Sequence, residues 1–550
     1  MAGRLWMDGK ASDGGVMARI AARLALPRAG RDGRPEPGDT VIGFRRERRA
    51  NAPAEDGYGA GVWLLDGRPG LDREDIEQLR LAGVKLDPVL CADDGDEALD
   101  DAGGAFGRTE PAGARMAARR AGSARGGKTD GRPQRVWMSG SFRAAGTSGC
   151  AAPSGSGRLF EVPVFHLKAL SVRRVGPGAA HLPSDWDGPH PLRLRLEAAA
   201  VKALYAAGRD FGTVRLAASD NGAVRLAGPF GAPAERDLPL WLEAIDAFRA
   251  ELAAEAEPDG RRELLIGADP EFLLVGPDGR VIPASRFFPR DGAAGSDAMR
   301  VRGRLRCPVA ELRPDPAGDP DALARGLRTL MRRAEAMTRA AGPLRWLAGG
   351  MPVPGFALGG HLHLNVPPSA RLLRVLDSCV ALPLAAAEDA RGLARRPRYG
   401  ALGDFRAKPY GFEYRTPPSW LVSPVAARAA FASALLAARH TDLLAVLTGL
   451  PSETPEGRRA YYAGDRETLR RLALRVHDAM RRVPGYAMYR RWIAPFFAAL
   501  ERGAVWREDD DIRPKWGIPA GSGRPGGKAA ASPAGEADKS VRDDAGSPAE

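Results

Sequence analysis

Four short segments of this chain alternate apolar residues with charged or imidazole residues, and that alternation limits the fold more than any other feature. They are RELLIGADPEFLLV (262–275), PVAELRP (308–314), GGHLHLNV (359–366) and GFEYRTP (411–417). In a β-strand successive side chains point to opposite faces. Each segment therefore lays an apolar face on a core. On the other face stand Asp269 with Glu271, Glu311 with Arg313, His361 with His363 and Asn365, and Glu413 with Arg415. One such strand alone reads as a half-exposed strand with polar residues facing water. Four so close together, if they share a sheet, converge on one concave face. Carboxylates that near repel one another and take raised pKa values unless cations neutralise them. Hard divalent cations suit oxygen-rich ligands and retain phosphate oxygens as partners, and arginine grips phosphate by bidentate contact. The pattern predicts a divalent-metal site that holds a polyphosphate.

The rest of the chain narrows the choice of function. At 550 residues and 58.4 kDa it is long enough for two or three domains. Its 67 Gly and 46 Pro imply much loop and linker. The net charge of +13 allows nucleic acid or an anionic ligand, but the arginines are scattered among acids with no nucleic-acid motif, so a solvated basic surface is expected. Cys91, Cys150, Cys307 and Cys379 form no CxxC pair, which argues against zinc and thioredoxin-like chemistry. The N-terminus lacks a signal-peptide core and no uncharged apolar run reaches membrane-spanning length. A cytoplasmic location with no membrane partner is expected. GSARGGKT (122–129) matches the P-loop pattern, but no buried strand precedes it and no helix follows, so it reads as a chance match.

Composition and periodicity divide the chain into a loose segment (1–37), a small α/β segment (38–96), a low-complexity linker (97–133), a domain at 134–236, a bridging helix (237–262), a catalytic domain (263–515) and a disordered tail (516–550). Within 134–236, GRDFGTVRL with Asp210, Phe211 and Gly212 is similar to the end of an ATP-grasp domain, where a helix leads into a hairpin. That family's second strand ends in Glu-x-Asn. Here Leu226-Ala227-Gly228 stands instead, so a degenerate remnant without metal is expected.

Helices should lie between the charged strands. Asp319 and Pro320 open one that stops at Gly342, with Leu323, Leu327, Leu330, Ala334 and Met337 as its apolar stripe. Ser423 and Pro424 open another. His166, His181, His190, His440 and His477 lack acidic company and read as structural or surface residues.

GADPEF, AELRP, GGHLHLN and RPRYGALGDFRAKPYGFEYRTPPSWL, in that order over about 263–425, closely resemble the phage-type amidoligases. These are carboxylate–amine ligases of the glutamine synthetase and glutamate–cysteine ligase superfamily. The resemblance implies an α+β fold: a curved, mainly antiparallel sheet with helices behind it, beside the smaller N-terminal α/β or α+β region. Its concave face would bind ATP and Mg²⁺ (or Mn²⁺). It implies Asp269, Glu271, Glu311, His361 and Glu413 as metal ligands, Asp269 being a departure from the superfamily's glutamate. His363, Asn365 and the loop residues Arg398, Tyr399, Arg406 and Lys408 would contact ATP or substrate. Arg313 and Arg415, with Glu311, would serve the transferred phosphoryl group. The activity implied is ATP-dependent amide formation through an acyl phosphate, between small-molecule or peptide carboxylates and amines. Two rivals stay open. A metallohydrolase built on the His-x-His strand would need further ligands and leaves the Glu-x-Arg pairs idle. A non-catalytic basic protein binding nucleic acid or an anionic polymer would be salt-sensitive and indifferent to ATP.

Overall fold

The structure is a computed structural model that describes residues 4–9, 15–37, 39–44, 62–91, 158–176, 190–256, 263–301, 304–396 and 399–519. The P-loop-like stretch, the whole of the expected linker (97–133), residues 134–157 of the domain after it, His181, Arg398 and the end of the tail lie outside the described residues. Apart from residues 50–54, the chain divides into two compact units, one ending at Ala256 and one beginning at Glu257.

The first unit contains two sheets. One is parallel, in the order Arg28–Ala29, Leu5–Asp8, Thr40–Gly43, Trp63–Asp66. The other is antiparallel and centres on Arg158–Phe165 and Phe211–Ala218. The expected hairpin turns at Gly222, whose φ of 77° suits glycine. Residues 1–37, expected to be loose, supply the strand Leu5–Asp8 and the helix Gly15–Arg23. Four-residue parallel strands are short apolar runs without alternation, so Leu-Trp-Met between Gly- and Arg-rich flanks carries almost no periodic signal. Leu5, Met7 and Ile42 share one core with Phe165, Phe211, Trp241 and Ile245. The helix Leu238–Ala256 lies within the expected span 237–262, of which residues 257–262 are outside the described residues, and Trp241, Ile245 and Phe248 on it belong to this core.

The second unit is α+β. Its sheet runs Ala294–Val301, Arg304–Leu312, Ile266–Val275, Gly360–Leu364, Gly411–Tyr414, Phe405–Lys408, and every pairing is antiparallel. Val281–Ile282 and Arg345–Leu347 also pair with Ile266–Val275. The four charge-paired strands are thus consecutive neighbours. Their apolar faces are closed: Phe272, Ala310, Leu312, Leu362, Leu364, Phe412 and Tyr414 have no solvent exposure. Phe272 stacks on Trp346 at 4.8 Å, and Trp420 meets Phe431 of the helix Pro424–Arg439 edge-on.

The helix ends follow their caps. Asp319 accepts from the Ala322 amide at 2.9 Å and Ser423 from Ala426 at 3.2 Å, each followed by proline. The helix Pro320–Thr338 buries Leu323, Leu327, Leu330 and Ala334, but Met337 is 44% exposed. The chain tightens into a 3-10 turn at Arg339–Ala341, and Thr338 faces inward instead. His477 stacks on Phe497 at 4.3 Å, and burial pushes its imidazole down to about 4. His190 caps the helix Pro191–Ala206 by accepting from Leu192. No single helix among the described residues is long and apolar enough to cross a membrane.

The second unit extends past the expected boundary at 515. Trp516 and Ile518 are buried, and the Trp516 indole donates to the Leu421 carbonyl at 2.8 Å. A fragment of residues 257–519 is therefore expected to fold alone. A cooperative thermal melt of that fragment checks this, and a non-cooperative one contradicts the division.

Glu508, in the same closing segment, is fully buried and accepts from the Gly350 and Met351 amides at 2.5 and 2.8 Å. Burial first, then the charge of Glu388, pushes its carboxyl up to about 7. A folded pKa above the unfolded one means a contribution that is complete below the unfolded value and lost as pH rises through 7. Relative to Glu508→Gln, the wild type should lose on the order of 2 kcal/mol of stability between pH 5 and pH 8. Denaturant unfolding at both pH values measures it, and a pH-independent difference contradicts it.

Candidate active site

Sheet register brings the charged faces together. Asp269 lies opposite His361, Glu271 opposite Glu311, His363 opposite Glu413, and Glu413 opposite Arg406. Directly paired residues share a face, so one row of polar side chains crosses five adjacent strands. Within it Asp269, His361 and Glu413 offer ligand atoms that all lie within 4.8 Å of one another. The Nδ1 atom of His361 is 3.1 Å from Asp269 Oδ1 and 3.5 Å from Glu413 Oε1. Two carboxylates and an imidazole at this spacing fit one Mg²⁺ or Mn²⁺, whose ligands sit about 2.1 Å from the ion and hence roughly 3–4 Å apart.

The charges around the triad are arranged with opposite consequences. Burial alone would raise the Glu413 carboxyl, but His361 and then Lys408 overcome it and hold it low. Lys408 Nζ is 2.9 Å from Glu413 Oε2, Arg415 Nε is 3.1 Å from Oε1, and Arg406 Nη1 is 3.3 Å from Oε2. Burial also opposes ionisation of Asp269, and there His361 and His363 win, keeping it below the usual carboxylate range. Glu311 goes the other way: burial, then the neighbouring Asp269, pushes it up to about 9. Glu271 is raised by burial, with one oxygen accepting from the Gly359 amide at 2.7 Å and the other from the Tyr399 hydroxyl at 3.1 Å.

The Gly-Gly before His361 has a steric cause. A Cβ on Gly359 would stand 2.2 Å from His361 Nε2, and one on Gly360 would stand 2.4 Å from the Pro418 carbonyl. The histidine strand can approach its neighbours this closely only without those side chains.

Most of the expected residues border the triad. Tyr399 hydrogen-bonds His361 Nε2 at 2.5 Å, and its ring faces the Arg415 guanidinium at 5.3 Å. Arg406 and Lys408 lie on the edge strand Phe405–Lys408 rather than in a loop. Arg313 donates to Glu311 and to the Arg290 and Gly292 carbonyls at 3.2 and 2.9 Å. His363 Nε2 and Arg415 Nε are buried without an aligned hydrogen bond, although each has a carboxylate within ion-pair distance. Asn365 does not join the site. Its amide accepts from Leu265 at 2.8 Å and donates to the Glu263 carbonyl at 2.9 Å, tying down the start of the neighbouring strand. The histidine strand ends at Leu364, so its alternation does not reach residue 365. Tyr410 was not anticipated: half exposed, it hydrogen-bonds His363 Nδ1 from the turn between the last two strands. Its place between Pro409 and Gly411, in the turn leading into the Glu413 strand, was the available signal.

Residues 266–518 match the family described as Phage phiEco32-like COOH.NH2 ligase-type 2. No curated protein matches the chain. Among solved structures, the crystal structure of a novel glutamine synthase homolog aligns with 49% of this chain and 84% of its own, at 18% identity and a TM-score of 0.20, a likeness too slight to build on. The family match spans the whole polar row, from Asp269 to Arg415, and the helices behind it. Over residues 266–518 the second unit is thus similar to the Phage phiEco32-like COOH.NH2 ligase family, type 2, by its description a family of carboxylate–amine ligases.

Proposed function

We propose that the second unit joins a carboxylate to an amine at the expense of ATP, through an acyl phosphate. The observation that carries this reading is the convergence of Asp269, His361 and Glu413 beside Arg415 and Lys408 on one sheet face. A substrate carboxylate oxygen attacks the γ-phosphorus, the bond to the β,γ-bridging oxygen breaks, and ADP leaves. The amine nitrogen then attacks the acyl carbon, phosphate departs, and the amine loses a proton. Bound divalent metal would supply charge neutralisation for the polyphosphate, held by Asp269, His361 and Glu413. Arg415 and Lys408 stabilise the equatorial oxygens of the moving phosphoryl group, which is mainly a task of positioning and electrostatics. Tyr399 and Glu271 fix the His361 ring from the other side. The substrates are small-molecule or peptide acids and amines, and a cytoplasmic setting supplies the ATP.

Hydroxylamine is a small, strong amine surrogate that intercepts acyl phosphates as hydroxamates. The full chain, given ATP, Mg²⁺, hydroxylamine and a panel of amino acids, dicarboxylic acids and short peptides, should form hydroxamate and ADP with one or more acids. AMP and pyrophosphate as products would show adenylation instead.

A further inference from the structure

Arg395 lies on none of the charge-paired strands, yet it is among the most buried large side chains of the molecule, at 1% exposure. It closes the 3-10 helix Ala390–Arg395. A guanidinium stays protonated in proteins, so this is a permanent buried charge, costly unless the surroundings compensate it. Its hydrogen-bond partners are carbonyl oxygens. Nη1 donates to Thr416 at 2.8 Å, and Nη2 donates to Arg415 at 3.2 Å and to Pro417 at 2.7 Å. These three consecutive carbonyls follow directly on Glu413 and Tyr414. The same guanidinium carbon stands 4.9 Å from the centre of the Tyr399 ring. The Arg415 guanidinium also stands over that ring, at 5.3 Å. One buried side chain thus touches both the exit of the Glu-x-Arg strand and the ring whose hydroxyl joins Glu271 to His361.

We propose that Arg395 is a positioning residue for the metal triad. It holds Tyr399 and the end of the Glu413–Arg415 strand where Glu413, His361 and Asp269 can close on one divalent cation. The inference rests on the metal-dependent reading of the site given above. Residues that orient metal ligands from behind typically govern affinity by about 10- to 100-fold. Lysine presents one compact ammonium and cannot serve three carbonyls in a fork. Methionine keeps the length and loses every donor.

Mn²⁺ titration of the full chain, followed by electron paramagnetic resonance, tests this. Wild type should bind, with Arg395→Met and Tyr399→Phe each weaker by about 10- to 100-fold and Arg395→Lys between them and wild type. The Arg395→Met/Tyr399→Phe double variant should be weaker than either single but by less than the product of their two losses, because part of the Arg395 effect acts through Tyr399 and part through the strand carbonyls. If Arg395→Met does not fold cooperatively, Arg395→Lys, Tyr399→Phe and their double variant make the same comparison. Wild-type affinity in the Arg395 variants, or losses that multiply in the double variant, would overturn the proposal and leave the metal site intact. A wild type that binds no Mn²⁺ would overturn the metal reading itself.

Discussion

Glu413→Gln lowers the affinity of the chain for Mn²⁺ by about 100-fold or more. Glu413 is 2% exposed and meets Lys408, Arg406 and Arg415 at 2.9, 3.3 and 3.1 Å while lying 3.5 Å from His361. Arg406, Lys408 and Arg415 all reach this one carboxylate of the triad. The amide keeps its shape but removes the negative charge, so an approaching dication meets three positive side chains with one carboxylate fewer. Breaking a buried pair by removing one partner typically costs about 3–5 kcal/mol, and about 3 kcal/mol corresponds to roughly 100-fold in affinity. The three cations left facing one another should also lower the melting temperature, so the titration is made below the variant's own transition. Calorimetry with Mn²⁺ alone, then with Mg-ATP, reads the effect. Unchanged affinity for both would remove Glu413 from the site.

Arg415→Lys should slow the first ADP-forming turnover by about 10²–10³-fold while changing ATP affinity less than tenfold. Arg415 is held by stacking on Tyr399 at 5.3 Å and by Glu413 at 3.1 Å, and its buried Nε makes no aligned hydrogen bond within the protein. It is anchored yet keeps donor capacity for the group that moves. Burial works against its charge, but Asp404, Tyr399 and Glu413 overcome that and raise its pKa further. Lysine preserves the charge and so much of the ground-state attraction, but it loses the planar fork and the ring contact. Single-turnover kinetics separates the two quantities. An equal loss in binding and in rate would assign Arg415 to ground-state binding alone.

How much of this was legible beforehand depended on whether the signal was local. Alternation in the four strands put Asp269, Glu271, Glu311, Arg313, His361, His363, Glu413 and Arg415 on the polar faces, because burying one face of a strand fixes which residues face the other way, but it did not say that Asp269, His361 and Glu413 would come together. The caps at Asp319 and Ser423 were legible for the same local reason. Strand order was not, since nothing local says that Ile266–Val275 sits between Arg304–Leu312 and Gly360–Leu364. The residues that sequence reasoning misplaced or missed depend on such long-range packing. Asn365 is diverted by a backbone 100 residues earlier, and Arg395 is defined by carbonyls 20 to 22 residues later. In the first unit, Leu5–Asp8 became a strand only through its parallel neighbours at Arg28–Ala29 and Thr40–Gly43. The helix Leu238–Ala256 was legible as a helix, but its membership of the first unit's core was not.

The central claim is that the carboxylate is activated as an acyl phosphate, and following one oxygen atom tests it most directly. An acid found active in the hydroxamate assay is labelled with ¹⁸O in its carboxyl group and turned over with ATP, Mg²⁺ and an amine, and the released phosphate is examined by mass spectrometry or phosphorus NMR. Attack of a carboxylate oxygen on the γ-phosphorus leaves that oxygen on phosphorus when the amine displaces it. Each amide formed should therefore release one phosphate carrying one ¹⁸O, together with one ADP. Amide formation that releases only unlabelled phosphate would contradict the account.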